Sequence, residues 1–196
     1  PSQAGCHKVI ETLAKAGVDA IEIGYPYSDP VMDGPTIQAA ATQALENGTG
    51  VTEVFAALKH ATDQGVAAVV MTYWNPIEKY GAAKFAQAIA DNGGSGVITP
   101  DLTIEESDEW RAAVKTSSIN PIYVVAPSTK PERLVNVTDQ CGGFIYAEDA
   151  EETNLKGVKL FQPNGDNSFL VLADELIVKE NGNDRVEIQI NPVSVA

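Results

Sequence analysis

Five short apolar segments, each separated from the next by at least one helical stretch, constrain this chain more than any other feature. DAIEIG (19–24), AAVVMTY (67–73), GVITP (96–100), NPIYVVAP (120–127) and GGFIYA (142–147) read as strands. AAVVMTY has no polar alternation, as expected of a strand covered on both faces. Helices are expected between them. Residues 4–16 carry Val9, Ile10, Leu13 and Ala16 at three- and four-residue spacing, and Gly17 stops the run. A second helix covers 36–46, opening on Gly34-Pro35, and a third runs from Thr52 to Gln64 before Gly65. Residues 82–92, 104–116 and 131–140 follow, the fifth with Thr103 and Glu106 spaced as a capping box and the last opening on Pro131. Strands joined by helical crossovers run parallel, so the fold class is α/β. The repeat length suits a doubly wound sheet or a (β/α)8 barrel. No G-x-G-x-x-G follows the first strand, which argues against the dinucleotide-binding version.

After Ala147 the texture changes. EDAEE (148–152) is an acidic run with neither helical nor strand period. VKLFQ (158–162), SFLVLADELIVKE (168–180) and RVEIQINPVSV (185–195) follow, divided by turns at 163–166 and 181–183. Those turns are too short for crossovers, so 158–195 is expected to be mainly antiparallel, with Asn181-Gly182 as a hairpin signal. A helix over 170–179 is the alternative. The organisation read here is five β/α units over 1–147 and a β-rich segment over 148–196.

Charge narrows the partners. Thirteen Lys and Arg stand against 27 Asp and Glu, a net charge of -14. Nucleic-acid binding needs a basic footprint that this chain lacks, and anionic membrane would repel it. No run approaches the ~18 apolar residues of a membrane-spanning helix. The first residues, PSQAGCHKVIETLAK, lack the basic-then-apolar pattern of a secretory signal. Cys6 and Cys141 form no framework and no metal spacing, which fits reduced thiols in a cytoplasm.

The densest polar stretch is IEIGYPYSDPVMDGPTIQ (21–38). Glu22 is flanked by Ile21 and Ile23. Buried there, it would have a raised pKa and suit general acid/base work; a paired structural carboxylate or a strand end open to water are the other readings. Asp33 stands in the loop after that strand, either as a second reacting-site carboxylate or as the N-cap of the next helix. Asp29-Pro30 is a turn signal as well. Loops leaving the C-terminal ends of parallel strands are where α/β folds place their chemistry. Tyr73, Trp74, Asn75 and Pro76 end the second strand, with Asp101, Ser128 and Tyr146 at later strand ends. Together they suit a cleft for a flat apolar ligand, although aromatic side chains there also serve as rim packing. His7 and His60 read as surface or packing residues, and no Ser-His-Asp or Cys-His arrangement supports nucleophilic hydrolysis.

IEIGYPYSDPVMDGPTIQAA resembles the signature of the tryptophan synthase alpha subunit family, and VVMTYWNPIEKYG, GVITPDLTIEES, NPIYVVAPST and GGFIYA extend the resemblance in order over residues 4–147. The resemblance implies part of a (β/α)8 barrel and a lyase that cleaves indole-3-glycerol phosphate to indole and glyceraldehyde 3-phosphate. It implies a pyridoxal-phosphate beta subunit as partner, and no metal or cofactor in this chain. By the same resemblance Glu22 is the catalytic acid/base and Asp33 the aspartate that holds the indole N–H. Tyr146, Met71, Ile98, Pro100, Val124 and Tyr73 line the substrate pocket, and Pro26, Asp29 and Asn75 face the beta subunit. The chain departs from the family where a strand should precede the first helix. It departs again after Tyr146, where EDAEETNLKG replaces a serine- and glycine-rich phosphate loop. A second reading therefore stands beside the enzyme: a non-catalytic scaffold or interaction module whose β segment mediates assembly by strand addition.

Overall fold

The computed structural model describes residues 2–147, together with the backbone of 171–173, 179–181 and 185–187. The chain divides into two compact units, Pro1–Ile122 and Tyr123–Ala196. In chain order the first contains α1 (Gln3–Ala16), β1 (Ala20–Gly24), α2 (Pro35–Glu46), α3 (Val51–Asp63), β2 (Ala67–Met71), α4 (Trp74–Tyr80), α5 (Ala82–Asp91), β3 (Gly96–Ile98), α6 (Asp108–Ser117) and β4 (Asn120–Ile122). Its strands form one sheet in the order β1-β2-β3-β4, and every pair is parallel.

The register sorts the strand residues onto two faces. Ile21, Ile23, Ala68, Val70 and Val97 share one core with Ile10 of α1, Leu58 and Ala61 of α3, Phe85 and Ile89 of α5, and Trp110 and Val114 of α6. Burying a side chain of that size contributes roughly 1.5–3 kcal/mol, so this face holds the helices to the sheet. Successive strand residues point to opposite faces. The other face therefore carries two rows, Glu22-Val69-Gly96-Asn120 and Gly24-Met71-Ile98-Ile122, each in direct register.

Local chemistry fixes the element ends. Gly17 adopts φ 80°, the left-handed conformation, and its N–H returns to the carbonyls of Leu13 and Ala14 to close α1. Pro35 stands in the first turn of α2. The Gly50 N–H donates to the Glu53 carboxylate at 2.8 Å at the start of α3. Between α1 and α3, His7 and His60 stack with centroids 4.3 Å apart, and Glu11 Oε1 lies 3.3 Å from His60 Nε2. They are packing residues, paired across two helices.

Several expectations change. The helix expected over 104–116 is a 3-10 turn at Ile104–Glu106 followed by α6. Thr103 meets Glu106 side chain to side chain at 3.2 Å, and its side chain caps no backbone N–H. Helix α4 is an addition: Pro76 sits in its first turn, where a missing N–H costs nothing. The strand expected over 120–127 is interrupted at Tyr123.

The second unit contains β5 (Val124–Val125), α7 (Pro131–Gln140), β6 (Ile145–Ala147), β7 (Val171–Ala173), β8 (Lys179–Asn181) and β9 (Arg185–Glu187). Strands β5-β6-β7 form a sheet in which both pairs are parallel. The parallel β6–β7 pairing corrects the antiparallel expectation for that part of 158–195. Strands β8 and β9 pair antiparallel with Asn181 opposite Arg185, as the hairpin signal implied. The acidic run 148–152, the segment 158–162 and the turn at 163–166 lie outside the described residues. Cys141 is buried, its Sγ accepts the Tyr123 N–H at 3.5 Å, and burial pushes its thiol up to about 11. Among the described residues no helix is long and apolar enough to cross a membrane.

Gly96 tests the register. A Cβ there would stand 2.6 Å from the Asn120 carbonyl oxygen, so the β3–β4 pair closes only around a glycine. Gly96→Ala is expected to lower unfolding free energy by about 1–3 kcal/mol, the range for overpacking, in urea titrations monitored by Trp fluorescence.

Candidate functional site

The two candidate carboxylates leave the same strand by different routes. Glu22 lies in β1 between buried Ile21 and Ile23 and is itself exposed. Of the readings open for it, burial between its neighbours is not found and exposure to water is. Alternation turns Glu22 to the face opposite theirs, and β1 is an edge strand of the four-stranded sheet. On that face Val69 is its register partner, with Met71 and Ile98 in the adjoining row. Ile98 is buried, Met71 half-buried, and Pro100 half-buried just past β3. The sheet thus brings Glu22, Met71 and Ile98 to one surface, a carboxylate beside apolar side chains.

Asp33 is half-buried in the β1–α2 loop. It is not an N-cap: Gly34 holds that position and α2 has no side-chain cap. Gln38 of α2 donates instead to the Asp33 backbone carbonyl at 2.8 Å. Tyr73, only 4% exposed, reaches across from the end of β2, and its hydroxyl accepts the Met32 N–H at 3.0 Å. Burial pushes the Tyr73 phenol up; the Met32 N–H pulls it back, and the neighbouring Asp33 carboxylate adds to the rise. Tyr27 packs on Tyr73 with centroids 5.2 Å apart, and its hydroxyl accepts from Asn75 Nδ2 at 2.7 Å. The loop carrying Pro26 and Asp29 is therefore latched twice to the C-terminal end of β2. Asp29 is exposed and accepts the Ser28 hydroxyl at 2.5 Å.

A third strand end joins this set through a residue expected only as one of the strand-end groups of the cleft. Asp101, after β3, accepts the Trp74 N–H at 2.8 and 3.1 Å with its two oxygens and so satisfies the first turn of α4. The Trp74 ring meets Trp110 edge to face with centroids 6.1 Å apart, so it packs against the helix-covered core. Only the tertiary structure reveals this contact, because α4 itself was not legible. In the second unit Val124 and Tyr146 are register partners on β5 and β6, with Tyr146 buried and Val124 half-buried. Ser128 is exposed in the loop after β5.

A family profile described as tryptophan synthase alpha chain matches residues 1–165. The chain belongs to the tryptophan synthase alpha chain family. The alpha chain of Nocardia farcinica is 48% identical over 147 residues, which is 75% of this chain and 55% of that protein. The alpha chain of Mycobacteroides abscessus is 49% identical over 140 residues, 71% of this chain and 53% of its own. A crystal structure of tryptophan synthase from M. tuberculosis superposes with a TM-score of 0.73 at 44% identity, covering 75% of this chain and 59% of that one. The tryptophan synthase complex of Pyrococcus furiosus gives 0.68 at 33% identity, covering 72% and 60%. The chain spans about half the length of these curated relatives. Family similarity runs 18 residues past Ala147, through the acidic run that the sequence reading had set outside it.

Asp101 yields a pH-dependent expectation. Desolvation pushes its carboxyl above the usual range, while the Trp74 N–H and its own N–H pull it back. A carboxyl raised in the folded state lends stability below its unfolded pKa, and that contribution is lost as pH rises through the folded value. The stability of wild type relative to Asp101→Asn is therefore expected to fall as pH rises from about 4. Urea midpoints at a series of acidic pH values check this, and a difference that grows with pH contradicts it.

Proposed function

We propose that this chain acts as an alpha-type lyase that cleaves indole-3-glycerol phosphate to indole and glyceraldehyde 3-phosphate in tryptophan biosynthesis. Breaking the bond at indole C3 requires a proton at that carbon, positive charge at the ring nitrogen and loss of a proton from the adjacent hydroxyl. Two carboxylates with different surroundings suit that demand. Glu22 supplies and removes protons at C3 and on the glycerol side. Asp33 accepts the indole N–H and stabilises the charge that develops there. Met71, Ile98, Pro100 and Tyr73 supply the apolar wall that an indole ring needs; Val124 and Tyr146 of the second unit are given a substrate-lining role by the family resemblance alone. The reaction calls for no metal and no cofactor in this chain.

The observation that carries the reading is the placement of Glu22. An exposed carboxylate on the face turned away from the helices, with Met71 and Ile98 in the next register row, is a proton-transfer group beside an apolar surface. Membership of the family, and its extension to residue 165, favour this reading over a non-catalytic scaffold. In this proposal the catalytic β/α units lie within residues 1–147, and 148–196 follow them, with Val171–Ala173 pairing β6.

The partner is the beta subunit that consumes the indole. Pro26, Asp29 and Asn75 lie on or against the β1–α2 loop, whose tip exposes Val31 at 79% and Met32 at 48%. An apolar tip rimmed by polar groups fits a protein partner. Both free thiols and the acidic net charge suit a cytoplasmic setting.

Indole release from indole-3-glycerol phosphate, assayed with the beta subunit present, tests the proposal. Glu22→Gln is expected to reduce turnover by about 100- to 10,000-fold, the usual contribution of a general acid/base. Asp33→Asn is expected to cost less. Unchanged turnover in Glu22→Gln contradicts the assignment.

A further inference from the structure

We propose that Asp101 is a positioning residue for the loop that carries Asp33, acting through the turn at Tyr73, Trp74 and Asn75. Tyr73 is the N-cap of α4, with an extended backbone at φ -69° and ψ 160°, and its side chain caps no backbone N–H of that helix. An N-cap residue commonly satisfies the first turn with its own short polar side chain. The Tyr73 hydroxyl is used elsewhere, accepting the Met32 N–H at 3.0 Å. Asp101 supplies the acceptor from the end of β3: its two oxygens take the Trp74 N–H at 2.8 and 3.1 Å. An N–H bonded to a carboxylate is charge-assisted and stronger than a bond between neutral groups.

The peptides on both sides of Tyr73 are thereby fixed by one neighbouring strand and its end. Before Tyr73, the Thr72 N–H donates to the Ile98 carbonyl of β3 at 3.0 Å. After it, the Trp74 N–H is held by Asp101. With both peptides fixed, the direction in which the Tyr73 side chain leaves the backbone is set, and so is the start of α4, which carries Asn75. Those two side chains latch the β1–α2 loop, Tyr73 at the Met32 N–H and Asn75 at the Tyr27 hydroxyl, 2.7 Å from its Nδ2. Met32 immediately precedes Asp33, so an error in the turn passes to the carboxylate through one residue. Misplacing a reacting group by about 1 Å costs on the order of 100-fold in rate. Asp101 is exposed, so water partly replaces its bonds when they are lost, and a smaller effect follows from its removal.

The kinetic part of this inference rests on the lyase reading; the structural part does not. With the beta subunit saturating, Asp101→Ala is expected to lower kcat by about tenfold while KM stays within about twofold, the signature of lost orientation rather than lost binding. Asp101→Asn keeps a carbonyl oxygen for the Trp74 N–H and is expected to retain at least about a third of the wild-type kcat. In a Tyr73→Phe and Asn75→Ala background, Asp101→Ala is expected to cost no more than about twofold further, because its route to the loop is gone. A rise in KM at unchanged kcat, an Asn variant as slow as the Ala variant, or an undiminished loss in that background overturns the proposal. Independently of any turnover, amide hydrogen exchange followed by NMR reads the loop. The Met32 N–H is expected to exchange about tenfold faster in Asp101→Ala than in wild type, with the exposed Gly17 N–H of the α1 cap unchanged. An unchanged Met32 rate, or equal acceleration at Gly17, overturns the positioning role. If wild type cleaves nothing while the Met32 amide responds as expected, the lyase reading fails and the positioning role stands.

Discussion

The arrangement of this chain depends on one consequence of parallel pairing: neighbouring strands keep the same residues on the same face. From Ala20↔Ala67 to Ile98↔Ile122 the register holds without a slip. A slip of one residue would turn Ile21 and Ile23 outward and Glu22 into the helix-covered core. The core with Ile10, Leu58, Phe85 and Trp110 forbids this, because an apolar layer has nothing to offer a carboxylate. Packing on one face therefore decides which residues are displayed on the other.

Position along the strands adds the second requirement. The loops leaving β1, β2 and β3 all emerge at the same end of the sheet, and each is bonded to its neighbour. Tyr73 and Asn75 hold the first loop, and Asp101 holds the start of α4. The two bonds that hold the first loop are partly buried, which makes each worth more than a surface contact. The loop tip at Val31 and Met32 remains exposed although its base is fixed. A segment fixed at the base and apolar at the tip combines a placed carboxylate with a surface suited to a partner.

Much of the fold was legible in the sequence because apolar runs and helix stops are local. The β2 strand announced itself in AAVVM, and Gly17 closed α1 where expected. Helix α4 was not legible: WNPIEKY shows little helical periodicity, and its proline reads as a breaker until its first-turn position is known. The surroundings of Glu22 stayed open between burial and exposure in the sequence, because flanking isoleucines suggest burial whereas alternation sends neighbours to opposite faces. The run 120–127 looked continuous, yet its pairing breaks at Tyr123. The resemblance pointed to Glu22 and Asp33 as candidates, but the hold of Tyr73 on their loop, through the Met32 N–H, is tertiary. Tyr73 lies forty residues beyond Asp33 in the chain, and no local pattern links them.

The central claim is that Glu22 stands on the open face of the sheet, opposite its two isoleucine neighbours. Thiol labelling measures this directly. In a Cys6→Ala and Cys141→Ala background, Ile21→Cys, Glu22→Cys, Ile23→Cys and Gly24→Cys are made one at a time, and their reaction with a soluble maleimide is timed under native conditions. The account predicts alternation, with positions 22 and 24 labelling quickly and positions 21 and 23 labelling only as fast as the chain opens. Equal rates at all four positions, or fast labelling at 21 and 23 with slow labelling at 22, would contradict it.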